Sequence, residues 1–151
     1  MKKRTLILSL IALVLLIGGY FGYKTYTRGN TDLSRVKPSL VTAADKLVQE
    51  FVTDEASANQ KYLPKTEFVI EVSGQVKAID KNDKGRTTLV LKASEVDMSS
   101  VQCAIDSTHL KDLNGIKPGD LARVRGVVTG FNSDELLGSD VFLARSVIIR
   151  N

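Results

Sequence analysis

The sequence has no tryptophan, one cysteine and one histidine in 151 residues. A lone cysteine excludes an intrachain disulfide framework and any multi-cysteine zinc or iron–sulfur site. A lone histidine leaves no histidine-rich metal chemistry. Aromatic residues make up only 6% of the chain and prolines number three. Acidic residues are absent from the first 30 positions, which carry Lys2, Lys3, Arg4, Lys24 and Arg28. Beyond residue 30 the chain holds 16 basic and 17 acidic side chains, so the net charge of +4 belongs to the N-terminal segment. The remainder is close to neutral. A basic charge read as a nucleic-acid footprint would have to lie on the globular domain, and it does not. What is present is an ordinary globular balance of 43% hydrophobic and 25% charged residues. At this length it provides for one small domain with appendages.

Leu6 to Tyr23 reads LILSLIALVLLIGGYFGY, 18 residues without a charge. That run is long enough to span a bilayer as a helix. The basic residues before it place the N-terminus in the cytoplasm by the positive-inside tendency. Tyr20, Phe21, Tyr23 and Tyr26 suit an aromatic belt at the exit interface. The alternatives are a cleaved signal peptide and a buried soluble helix. Against cleavage, no small-x-small site follows the run. The expected organisation is a cytoplasmic basic tail at 1–5, a signal anchor at 6–23, a polar linker at 24–41 and an extracytoplasmic remainder.

Ala44, Leu47, Val48, Phe51, Ala58 and Tyr62 recur at helical spacing and predict one amphipathic helix over 42–63, stopped by Pro64. Thr42 with Asp45 three residues on has the look of a capping box. From Glu67 the period changes to two. Strands are predicted from Glu67 to Ile79, Arg86 to Ala93, Val101 to Asp106, Leu121 to Phe131 and Asp140 to Ile149. A short helix at Ser107–Leu113, capped by Asp106 or Ser107, stands between the third and fourth. Gly74, Gly126 and Gly130 are read as bend points. Three strands, a short helix and two strands in this order make a mainly β domain over 66–150, the five-stranded Greek-key barrel of the OB-fold.

The chain resembles the bacterial tRNA_anti-like OB-fold family of anchored or exported proteins. The resemblance rests on DEASANQKYLPKTEFVIEVSGQVKAI, MSSVQC, IKPGDLARVRGVVTGF and DVFLARSVI, within residues 42–149. Pro64 stands where relatives often have glycine, and Ser146 where they often have a second cysteine. The resemblance implies the barrel and leaves the ligand open.

No Ser-His-Asp set, paired catalytic carboxylates or phosphate-cradling loop can be assembled. The sequence therefore predicts no catalytic residue, metal site or cofactor. Cys103 alternates with Val101 and Ile105 and is expected in the core, with a redox or intermolecular role as the alternative. His109 is expected on the solvated surface. The best functional patch is Lys77, Arg86, Lys92, Arg123 and Arg125, on or beside the usual OB ligand face. Single-strand binding also needs aromatic platforms. The second and third strands have none, and Phe68, Phe131 and Phe142 are the barrel's aromatic residues. The expectation is a membrane-tethered binding or scaffold module that contacts an envelope protein or polysaccharide. Oligonucleotide binding through the OB face is the alternative. Oligomeric state, and whether the amphipathic helix packs on its own barrel, stay open.

Overall fold

A computed structural model describes residues 17–20, 32–63, 68–82, 85–95, 98–134 and 136–150. It forms two compact units, residues 1–31 and 32–151. In the first unit, residues 17–20 are helical, and the rest of the expected anchor, with the basic tail and residues 24–31, lies outside the described residues. No helix among the described residues is long and apolar enough to cross a membrane.

The second unit begins with a single 3₁₀ turn, Leu33–Arg35, capped by the Asp32 carboxylate, which accepts from Ser34 N–H. Strand β1 (Leu40–Ala43) leads into helices α1 (Ala44–Thr53) and α2 (Glu55–Tyr62). Strands β2 (Val69–Lys81), β3 (Thr87–Lys92) and β4 (Ser100–Ile105) follow, then a 3₁₀ helix, Ser107–Leu113. Strands β5 (Leu121–Asp134) and β6 (Gly138–Ile148) complete the chain. The sheet order is β1-β2-β3-β4-β6-β5, and β2 also pairs with β5. That last pairing closes β2 to β6 into a five-stranded barrel of OB order. All five barrel strands and the short helix stand where period-two alternation and the Asp106 cap place them.

Strand β2 is the pivot. Val69–Gln75 pair with β5, while Val76–Lys81 pair with β3. The register slips between Val76 and Ala78, a bulge of the kind that lets a strand bend around a barrel. Gly74 sits just before it. A Cβ there would lie 3.0 Å from the Ala44 Cβ and 3.3 Å from the Leu91 Cβ, so glycine admits the start of α1 against the bend.

Two expectations for residues 24–63 change. The end of the segment assigned to the linker and the first two residues assigned to the helix form β1, which runs parallel to β2 with Leu40 opposite Ile70 and Ala43 opposite Ser73. Thr42 is therefore in a strand and does not cap a helix. Helix α1 starts after Ala43, which makes no side-chain cap. The single helix over 42–63 is two helices. Asp54 leaves the helical region (φ −151°, ψ 88°), and its carboxylate accepts from Ser57 N–H at 3.0 Å and Ser57 Oγ at 2.6 Å. An aspartate that caps the next turn ends the previous one. Glu50 ties the two helices together, accepting from Lys61 Nζ at 2.7 Å and Tyr62 OH at 2.8 Å. Burial opposes its ionisation, but these two bonds outweigh it and hold its carboxyl below the usual range.

Helix α1 buries Ala44, Leu47, Val48 and Phe51, the i, i+3, i+4, i+7 stripe. It packs against β2, β3, β4 and β6. Phe51 stacks between Tyr62 and Phe131, with ring centroids 5.5 and 5.0 Å away. The amphipathic face is thus covered in cis. The 3₁₀ helix contributes Leu110 and Leu113, and Ile116 follows, all packed against the same core. A second, smaller cluster of Leu33, Val69, Val127 and Val147 lies apart from it, with Val36 and Ile149 packed on its edge.

Candidate functional site

The five basic residues singled out by sequence do not form one patch. Arg123 and Arg125 alternate on β5 and both point to β2, because Arg125 is opposite Glu71 and Arg123 opposite Ser73. Glu71 is buried, with 6% of its side chain exposed. Its carboxylate accepts from Arg125 Nε at 2.8 Å and lies 3.4 Å from Arg123 Nη1. Arg125 is itself only 17% exposed. It also donates to the carbonyls of Ser34 and Val36, at 3.0 and 2.9 Å. Arg125 therefore straps residues 34–36 to the barrel. The strap holds Leu33 and Val36 against the second cluster.

Lys92 and Arg123 do converge. They line a cleft of about 820 Å³ with Asp45, Gln75, Glu95 and Leu121, at the bend of β2. Lys92 is paired there with Glu95. Arg86 is exposed at the opposite end of β3, where its backbone closes the β2–β3 turn with Asn82. Lys77 is exposed, and its ammonium donates to the Met98 carbonyl at 2.9 Å.

The outer face of β3 and β4, with the β2–β3 and β5–β6 loops, is the usual OB ligand surface, and β6 lies alongside β4. Here it carries Val90 beside Gln102 and Gln102 beside Phe142 in register. Asp140 sits next to them and accepts from Ser100 Oγ and from Gln102 Nε2 at 2.9 Å. The two phenylalanines that flank the β5–β6 loop in sequence separate in space. Phe131 turns inward onto Phe51, and Phe142 is partly exposed on the outer face. Sequence reasoning passed over Glu71, Gln102 and Asp140. Their role depends on cross-strand register, which alternation alone does not supply. Beyond this face the β5–β6 loop projects Leu136 and Leu137 into solvent.

Cys103 is fully buried, and burial pushes its thiol up to about 12. The core reading of this residue stands. His109 departs from the expectation of a freely solvated side chain. Its Nδ1 lies 2.8 Å from Asp112 and its Nε2 3.0 Å from Asp32. The bond to Asp112, with the charge of Asp32, raises its affinity for a proton against a smaller opposing effect of burial.

The fold recurs in solved structures. A candidate nucleic acid-binding lipoprotein of Klebsiella pneumoniae superposes with a TM-score of 0.56 at 15% identity, over 82% of this chain and 100% of its own. The Stn1–Ten1 complex of S. pombe gives a TM-score of 0.38 at 18% identity, over 55% of this chain and 59% of its own. No curated protein matches the chain in sequence. The tRNA_anti-like family model matches residues 1–141, nearly the whole sequence: the chain belongs to the tRNA_anti-like family.

Proposed function

We propose that this protein is a binding module without catalysis, tethered to the cytoplasmic membrane through residues 6–23, with its barrel outside the cytoplasm in contact with an envelope protein or polysaccharide. The observation that carries the reading is that three of the candidate cations, Lys92, Arg123 and Arg125, are held against carboxylates. Lys92 pairs with Glu95, Arg123 and Arg125 share the Glu71 carboxylate, and the outer face carries Asp140. A phosphate-tracking surface gains its affinity by leaving such cations available to displace counterions. Cations held in this way suit a ligand without dense charge. The apolar run and its basic flank support the tether, and a lipoprotein among the similar folds is in keeping with it.

The second reading is single-stranded nucleic acid, favoured by Phe142. It is an aromatic ring on the outer face, where bases stack in other OB-folds. The test is site-specific photo-crosslinking from position 142 of the full chain in its own membrane. The proposal expects a discrete protein or glycan adduct. Adducts to nucleic acid would replace it with the second reading.

A further inference from the structure

The tip of the β5–β6 hairpin is built to hold two leucines in water. Leu136 is 93% exposed and Leu137 63% exposed. They occupy a tight turn between Asp134 and Gly138, where turns ordinarily carry glycine, asparagine or serine. The fold does not use them, since neither joins a core cluster. Yet their backbone is fixed. Asp134 Oδ1 accepts from Leu136 N–H at 2.8 Å and from Leu137 N–H at 2.9 Å. The hydroxyls of Ser133 and Ser139 bond across the hairpin at 3.0 Å. Gly138, at φ +89°, lies so close to Ser99 that a Cβ would fall 2.7 Å from its nitrogen. That approach brings Met98, itself 60% exposed, beside the tip. Apolar side chains on a preorganised turn lose little further freedom on binding.

Charge around the tip discriminates among occupants. Residues 133–140 read SDELLGSD, with three acids and no base. Lys77, beside Met98, has its ammonium on the Met98 carbonyl. Segments that enter a lipid surface carry lysine and arginine around their apolar residues, and this one carries the opposite sign. The same acids repel nucleic-acid phosphates. Two copies meeting tip to tip would set acid against acid. A polysaccharide offers no deep apolar slot for leucine.

We propose that Leu136 and Leu137, with Met98 beside them, dock into an apolar slot of a partner protein, and that the surrounding acids select a slot rimmed by lysine or arginine. This rests on the reading of the domain as a binding module and narrows its ligand to a protein.

The test places a photo-crosslinking residue at position 136 of the full chain in its membrane, with parallel probes at 142 and at exposed Gln60 on α2. The expected result is one discrete protein adduct from 136 and none from 60. That adduct should fall about tenfold or more in Leu137→Ser, as for an anchor side chain. It should also weaken in Glu135→Lys and with added salt, while the melting temperature of both variants stays unchanged. Adducts to lipid alone, an adduct the size of a dimer, or insensitivity to both substitutions would overturn the proposal. A partner adduct from 142 without one from 136 would overturn it and leave the binding-module reading in place. Protein and glycan adducts absent from both positions would overturn both.

Discussion

Arg123 and Arg125 stand two residues apart on β5 and share one carboxylate, yet removing them should have different consequences. Arg125→Ala leaves Glu71 buried without its closer cation and releases the carbonyls of Ser34 and Val36. Breaking a buried pair from one side costs about 3–5 kcal/mol, and urea denaturation should show a loss of that order. Arg123 is 41% exposed and lies farther from the carboxylate, so Arg123→Ala should cost less than about 1 kcal/mol. Equal losses would mean that the strap contributes nothing. His109 makes a second residue-scale prediction. Its proton affinity is raised in the folded state, so the protonated form favours folding. The stabilisation is complete below the unfolded value of about 6.5 and fades as pH rises through the higher folded value. Melting temperature measured from pH 6 to 9 should fall across that window, and His109→Gln should remove the step. Cys103 should resist thiol reagents in the native protein and react once the chain is unfolded.

The elements differ in how much of them can be read from sequence, and the differences have physical causes. The barrel strands announce themselves because each buries one face. Val101, Cys103 and Ile105 on β4, or Ala122, Val124 and Val128 on β5, have to alternate with outward residues. Strand β1 buries none of its four residues fully, so its pattern is silent; it exists because β2 offers an edge beside residues 70–73. The break at Asp54 is hidden for a different reason. The apolar spacing runs on through Ala58 and Tyr62, and only the pairing of Asp54 with Ser57 marks a new N-terminus. The docking of α1 is a packing event that periodicity implies without locating. Phe51 is fully buried between two rings, so Phe51→Ala should cost about 3–5 kcal/mol in a thermal or urea melt. An unchanged melt would contradict docking in cis. Gly74→Ala should cost about 1–3 kcal/mol, since the new methyl meets Ala44 at the bend.

For the whole molecule, the candidate site is less legible than the fold. Sequence finds the basic residues but not their partners, because Glu71 faces Arg125 only through a register set by sheet closure. The same closure puts Phe131 inside and leaves Phe142 outside, though the two flank one loop. The result is an OB barrel in which Lys92, Arg123 and Arg125 lie against carboxylates, and whose outer face carries Asp140, Gln102 and Phe142. On the proposed reading, the barrel binds something other than a phosphate backbone. Fluorescence anisotropy of labelled single-stranded DNA and RNA, titrated with the full chain in neutral detergent at low and at physiological salt, tests this. No binding is expected in either condition. Binding at low salt that weakens steeply with added salt, and that Arg123→Glu abolishes, would contradict it.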